Sequence, residues 1–411
     1  MRIAYLTGEY PRATDTFVQR EVTALRQKGV EVYTFSARRT GDEHIVGAEQ
    51  KAERESTFYI LPPNPINLLL SHLTLFLKSP LRYFRTLKLA WSTRQHGLRG
   101  NLYQLFYFAE AGIVAKQIQL QHIQHLHNHS PDASGTVSML AAELGGFTFS
   151  FTLHGPHIFF APERWRIDEK IKRSLFVICI SHFARSQGML FAPIYKWSRM
   201  HIIHCGVEPA LFNVVSHHQP GKRLLYTGRL AATKGLPILF ESLVALKPSH
   251  PDILLTIVGD GSDRTELEQM TAQLELNDNV KFVGYKSQAE VREYMQETDV
   301  FVLPSFAEGV PVSLMEAMAA GVPVVTTQIA GVSELVENGV SGYIVPAGDG
   351  ITLAERIKTL LTEPQLRSQF GTAGREKIEK EFNLNHEVAR FYRVMIAALD
   401  GKIESIRPEG F

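Results

Sequence analysis

Pro304-Ser-Phe-Ala-Glu308-Gly309-Val310-Pro311-Val312-Ser313-Leu-Met-Glu316-Ala-Met-Ala-Ala-Gly321-Val-Pro323 reads as a tight loop, a short helix and the start of a strand. Just before it, Val300-Phe-Val-Leu303 is an apolar run of strand length, ending at Pro304, which has no N–H for a ladder. Pro311 suits the first helical position, and Ala, Leu and Met fill the helix. Gly321 suits the left-handed position after its end, and Pro323 stops any continuation. Glu308 then sits on the loop at the carboxyl end of a strand, and Glu316 lies about a turn and a half into the helix. The N–H groups of Val312 and Ser313 fall in the unsatisfied first turn, whose partial positive charge stabilises a phosphate. A nucleotide sugar fits that arrangement, with Glu308 near the sugar and Glu316 near the ribose. The competing reading is a loop acid and a helix acid in an ordinary α/β unit, and spacing alone does not separate the two.

Upstream, Arg223-Leu-Leu-Tyr-Thr227 is a strand ending at Gly228-Arg229, followed by Lys234-Gly235 and an apolar-periodic helix. Strands at 253–258, 280–283, 322–326 and 342–345 alternate with helical stretches, which predicts a doubly wound α/β domain. Arg229 and Lys234 lie on its first loop, where a guanidinium grips two oxygens and an ammonium adds a point charge, the pairing a diphosphate needs. Solvated loop cations are the plain alternative.

The first half repeats the logic. Ile3–Thr7 is a strand, Gly8-Glu-Tyr-Pro-Arg a loop, Asp15 or Thr16 a helix cap, and Val30–Phe35 the next strand, so a parallel sheet follows. The Gly8 loop lacks G-x-G-x-x-G, which argues against a tightly held dinucleotide. His122-Ile-Gln-His125-Leu-His127-Asn-His129 is strand-like, with His125, His127 and His129 on one face. Three histidines on one strand close no tetrahedron without further ligands, so no metal is expected; instead, one faces a ligand while the others pack. Phe147–Leu153 delivers His154-Gly-Pro-His157 at a carboxyl end, again the ligand edge of such a sheet.

Residues 63–100 carry Lys78, Arg82, Arg85, Lys88, Arg94 and Arg99 with no acid. Two helices separated at Pro80 are expected, their apolar stripe mostly packed on the sheet. The second reading is peripheral contact with an anionic membrane. A length of 411 residues and 45% hydrophobic content allow two or three cored domains, and a net charge of +1 speaks against nucleic acid as a partner. Cys179 and Cys205 are too few for a disulfide framework and favour a reducing compartment. The first residues lack a signal-peptide layout, so a cytoplasmic location is expected, at most peripheral at the inner face of the cell membrane.

With Glu308-x7-Glu316, Gly228-Arg229…Lys234-Gly235, Tyr10-Pro-Arg…Thr16-Phe17-Val-Gln-Arg-Glu21 and Phe151-Thr-Leu-His154 in hand, the chain resembles the retaining glycosyltransferases of family GT4, exopolysaccharide type, over nearly its whole length. The resemblance implies the GT-B fold, two Rossmann-like doubly wound domains facing a central cleft: residues 1–205 for the acceptor, 206–385 for the nucleotide sugar, and 386–411 as a helix crossing back. It implies a hexosyltransferase that moves a sugar from a UDP-, GDP- or ADP-sugar to a glycan or lipid-linked acceptor with retention, without a metal or cofactor. Arg229 and Lys234 would neutralise the diphosphate, with Gly309, Val310, Val312 and Ser313 beside it. Glu316 would meet the ribose, the backbone at Tyr285 the base, and Glu308 and His154 the sugar. Gly8, Thr16, His129 and His157 would line the acceptor side. His157 stands where such members often carry an acid, which implies altered donor or acceptor choice. The alternatives are a GT-B epimerase or phosphorylase, or a non-catalytic sugar-binding scaffold.

Overall fold

Short runs of β-branched and aromatic residues, each followed by an amphipathic helix, leave a chain little choice but parallel pairing through crossovers. The computed structural model describes residues 1–216, 219–406 and 408; the polar stretch 216–223, read from sequence as a linker, lies partly outside them. The chain divides into two compact units, residues 1–203 with 388–411, and residues 204–387. The last helix, Leu384–Leu399, starts in the second unit, and its residues from Val388 onward belong to the first.

In the first unit the strands are β1 (Arg2–Glu9), β2 (Glu31–Arg38), β3 (Phe58–Tyr59), β4 (His125–His129), β5 (Thr148–Leu153), β6 (Val177–Cys179) and β7 (Met200–Ile202). Their order is β3-β2-β1-β4-β5-β6-β7, all parallel. The second unit holds β8 (Arg223–Thr227), β9 (Leu254–Val258), β10 (Val280–Gly284), β11 (Val300–Leu303), β12 (Val324–Thr327) and β13 (Gly342–Val345), in the order β10-β9-β8-β11-β12-β13. This is the GT-B pattern of two Rossmann-like halves. In each sheet the winding reverses once, between β1 and β4 and between β8 and β11. The crossovers that follow those carboxyl ends leave for opposite faces of the sheet, and that switch point is the place where such sheets take ligands.

The helix Val312–Ala319 ends as its sequence dictates, with Gly321 at φ +71. Pro311 is corrected by one position. It is the extended residue before the helix (φ −69, ψ 123) rather than its first member. Its ring holds the chain there, and its missing N–H costs nothing outside the ladder. Behind this helix lies the helix Pro364–Glu381, so close that a Cβ on Gly371 would stand 2.1 Å from the Gly321 carbonyl oxygen. From that helix Arg375 donates to the carbonyls of Ala319 (2.5 Å) and Phe212 (2.8 Å), placing a cation at the carboxyl end of the shorter helix.

Two features of the first unit depart from the sequence reading. A 23-residue helix, Leu98–Leu120, was not anticipated, because its apolar residues follow no single stripe. The apolar stripe of 63–100 was expected on the sheet, yet Ile66, Leu69, Leu70, Leu73 and Leu77 of the helix Pro65–Lys78 point to solvent. The face turned inward is instead that of Ser71, His72 and Leu75. His72 bonds the Tyr83 hydroxyl (2.9 Å) and the Ala109 carbonyl (3.1 Å). Those polar contacts fix which side of the helix faces the protein.

At the centre of the first sheet, β4 and β5 are joined by side chains as well as backbone. His125 bonds Thr148 (2.8 Å) and Ser150 (2.7 Å), and His127 bonds Ser150 (2.7 Å) and Thr152 (2.9 Å). Burial pushes His125 down to about 3 and holds His127 well below the usual histidine range. Both rings are therefore neutral in the folded chain and chargeable only once it opens. Since the folded value of His125 lies below the unfolded one, its contribution is complete above about pH 6.5 and is lost as pH falls toward about 3, at ~1.4 kcal/mol per pH unit, and His127 acts in the same direction. Chemical denaturation of His125→Asn at several pH values between 5 and 7 should show a shallower loss of stability on acidification than the parent chain, by roughly one proton's slope. An unchanged slope would mean that His125 is not a neutral buried ring.

Candidate active site

In the second unit, the loops leaving β8 and β11 meet at the winding reversal. The Phe306 N–H donates to the Thr233 carbonyl (2.8 Å), which ties one loop to the other. Gly235 sits at φ +65, and a Cβ there would stand 2.1 Å from the Pro304 carbonyl oxygen, so only glycine allows the approach. The side chains then converge. Lys234 Nζ donates to Glu308 Oε1 (2.5 Å), and Ser305 Oγ donates to the same oxygen (2.7 Å). Both charged side chains are largely withdrawn from water, at 17% and 12% exposure, so neither is a loosely solvated loop charge. Thr327 Oγ1 fixes the Ser305 carbonyl (2.5 Å), which in turn orients Ser305.

Arg229 lies on the same β8 loop. Its carbonyl accepts from the Tyr226 hydroxyl (3.0 Å), while its guanidinium side is exposed. Tyr226 is held protonated by burial, reinforced by Glu308, so its role is that of a donor. Val312 and Ser313 are half-exposed at the amino end of the site helix; Val310 and Glu316 are buried, and the Gly309 carbonyl accepts from Gly331 (3.2 Å). A further loop follows β9. Gly259 stands at φ +138 with its Cβ direction 1.9 Å from the Gly228 carbonyl oxygen, and the Tyr285 hydroxyl donates to the Asp260 carbonyl (3.2 Å). Arg264 pairs with Asp260 (2.7 Å) and Glu268 (2.8 Å). The structure thus joins Lys234 directly to Glu308 and sets both at the edge that carries Arg229 and the helix end. Ser305, Asp260 and Gly259 were missed by sequence reading. Gly259-Asp-Gly261 closing a strand was a signal for two of them, and Ser305 carried none.

The first unit gathers a different set. Tyr5 donates to Glu21 (2.5 Å), Glu21 meets His129 Nε2 (3.2 Å), and His129 Nδ1 meets His154 Nε2 (2.7 Å). With Glu21 as the carboxylate, His129 donates from Nε2 and accepts at Nδ1, which makes His154 Nε2 the protonated nitrogen and its Nδ1 an acceptor. Burial, then the neighbouring His129 and His157, keep His154 well below the usual range, so it is a neutral ring at pH 7. Phe17 packs on it with ring centroids 4.6 Å apart. Glu21, His127 and His129 also bring potential metal-ligand atoms within 4.8 Å of one another. Both nitrogens of His127 and of His129 are already engaged, so an ion there would have to displace those bonds. Thr16 opens the helix beneath and is buried. His157 is exposed, 3.5 Å from the Ser130 hydroxyl, so its imidazole stands at the surface.

Beside the carboxyl ends of β1 and β2 lies a cavity of about 700 Å³, with Gly8 at its margin. Its walls mix Leu68, Phe106 and Ile113 with Arg12, Arg38 and Glu110. Burial raises Glu110 to about 7, with Arg38 pulling the other way. Sequence reading marked only Gly8 here as a site residue, because the other walls come from segments far apart in the chain, among them the unanticipated helix Leu98–Leu120.

Residues 208–377 match the family model described as glycosyl transferases group 1. The chain is 38% identical over 194 residues to the amylovoran biosynthesis glycosyltransferase AmsK of Erwinia amylovora, covering 45% of this chain and 47% of that protein. It thus spans about half the length of the curated relatives it matches. Over 97% of its length it superposes on the Thermosynechococcus elongatus sucrose-phosphate synthase (TM-score 0.74, 20% identity, all of that chain) and on Anabaena HepE in complex with UDP and glucose (TM-score 0.72, 18% identity, all of that chain). At these identities the likeness fixes the fold.

Gly235→Ala should lower stability by about 1–3 kcal/mol in urea denaturation, since a left-handed backbone and a backbone oxygen both oppose the methyl group. Gly8→Ala, which meets no atom within 4 Å, should stay within about 0.5 kcal/mol. Equal costs would show that the two loops are not pressed together as described.

Proposed function

We propose, taking residues 208–377 as a group 1 glycosyl transferase domain, that the chain moves a sugar from a nucleoside diphosphate sugar to a hydroxyl of a glycan or lipid-linked acceptor with retention of configuration. One observation carries the reading: the Lys234–Glu308 pair stands at the winding reversal of the second sheet, on the loops beside the amino end of the site helix. An ammonium has three donors, so Lys234 can keep Glu308 and still take a phosphate oxygen. Arg229, exposed on the same loop, supplies the second cation. The N–H groups of Val312 and Ser313 supply donors already fixed in place. Glu316 takes the ribose, the backbone near Tyr285 the base, and Glu308 the sugar hydroxyls.

The chemistry follows from where charge develops. The bond between the sugar's anomeric carbon and the diphosphate breaks, leaving negative charge on the phosphate and positive charge on the ring. Prepositioned cations and N–H donors stabilise the first, while Glu308 opposes the second. The acceptor oxygen bonds the anomeric carbon on the face the phosphate leaves, and its proton passes to that phosphate. No step requires a metal or cofactor. In the first unit, His154 meets a sugar hydroxyl. The cavity, whose walls combine Leu68, Phe106 and Ile113 with Arg12, Arg38 and Glu110, suits an acceptor with an apolar and a polar part.

Arg229→Ala should lower turnover about 10²- to 10³-fold, followed as nucleoside diphosphate released in the presence of acceptor. Because the side chain is exposed, its stability should move by less than about 0.5 kcal/mol. Lys234→Ala should lose as much turnover and, in addition, about 1–3 kcal/mol of stability, since a mostly buried carboxylate loses its cation. Normal transfer in both variants would reject the assignment, and product with inverted anomeric configuration would reject retention alone.

A further inference from the structure

The helix Pro65–Lys78 is inside out for a protein surrounded by water. Its polar His72 and Ser71 face the protein together with Leu75, while Ile66, Leu69, Leu70, Leu73 and Leu77 face solvent. Leu69 and Leu77 are each 69% exposed, and Ile66 68%. The next helix, Pro80–Ser92, continues the patch with Leu81 at 87% exposure, then Phe84 and Trp91. Phe76 and Phe84 meet edge-on with centroids 5.8 Å apart, so the two helices present one continuous surface. On the outer face of the second helix, apolar and cationic side chains share the exposed positions Leu81, Phe84, Arg85, Lys88 and Trp91, with Arg85 paired to Glu143 (2.5 Å). The Arg94 guanidinium lies 4.0 Å above the Trp91 ring. A contiguous exposed apolar surface of this kind marks a binding face.

Charge selects the occupant. Between residues 63 and 100 there are six Lys and Arg and no Asp or Glu. Leucines flanked by lysines, arginines and a tryptophan match the boundary of an anionic bilayer, where acyl chains meet phosphate headgroups. No helix among the described residues is long and apolar enough to cross a membrane, so the pattern is that of a helix pair lying in the plane of the surface. We propose that the outer faces of the helices Pro65–Lys78 and Pro80–Ser92 are a docking surface for an anionic lipid bilayer. Leu68 and Phe106, next to this face, also line the cavity of the first unit, so docking sets that cavity's wall against the lipid. The surface stands on its own observations and does not depend on the transfer reaction.

Flotation of the full chain with phosphatidylcholine vesicles, with and without phosphatidylglycerol, tests it. Binding should require the anionic lipid and weaken at high salt. Lys78→Gln with Lys88→Gln should lower partitioning roughly ten- to thirtyfold. Leu69→Asp with Leu73→Asp should reduce it at least about as much. Ile351→Asp, an equally exposed apolar residue of the second unit, should change nothing. Thermal unfolding of each variant checks that the fold is kept. Absence of vesicle binding, binding that ignores both double variants, or a solution dimer dispersed by the leucine variant in place of vesicle binding would each overturn the proposal. Nucleotide-sugar turnover is not needed for the readout, so its loss and the loss of docking are told apart.

Discussion

Two loops pressed together over a glycine are the constraint on which the second unit depends. Because β8 and β11 are neighbours whose crossovers leave in opposite directions, their loops meet only if one backbone comes within touching distance of the other. Gly235 permits that, and the Phe306–Thr233 bond holds it. Lys234 is thereby delivered to Glu308. Each charge makes the other's withdrawal from water tolerable, as an unpaired buried charge would cost several times what the pair contributes. The pair is best seen as a means of fixing position rather than as a source of stability. It fixes a carboxylate and an ammonium relative to the helix end.

That helix end is itself held from behind. Gly371 lets a second helix lie against the first, and Arg375 reaches from it to the carbonyls at the far terminus. A cation there satisfies acceptors that the helix leaves open and reinforces the dipole whose positive end faces the loops. The first unit solves a related problem with neutral groups. Its Tyr5–Glu21–His129–His154 chain uses one carboxylate to set the tautomer of two rings in succession.

The alternation of strands and helices, the carboxyl end of the site helix and the Gly321 turn were legible in sequence, because apolar runs, Pro and Gly encode them locally. The Lys234–Glu308 contact was legible only as a shared edge. Its pairing depends on an approach between residues 74 positions apart, and no local pattern records that. Ser305 was invisible for the same reason: a short polar side chain in a loop acquires meaning from its partner. The stripe of 63–100 misled in a more instructive way. Periodicity reveals that a helix has two faces, but a hidden pair of bonds from His72 decided which face turned inward. The helix Leu98–Leu120 hid itself by being apolar on too many sides.

The ladder of imidazoles and hydroxyls between β4 and β5 has a meaning beyond its titration. Parallel strands of similar apolar content can pair in several offsets with nearly equal backbone bonding. Here each ring spans two hydroxyls on the neighbouring strand, and Ser150 is shared between both rings. Sliding one strand by a single residue would send every one of these polar atoms into hydrocarbon without a partner. The ladder therefore acts as a key cut for one lock, discarding misaligned sheets while the chain is still assembling and leaving the correct alignment the only one in which the centre of the sheet is content.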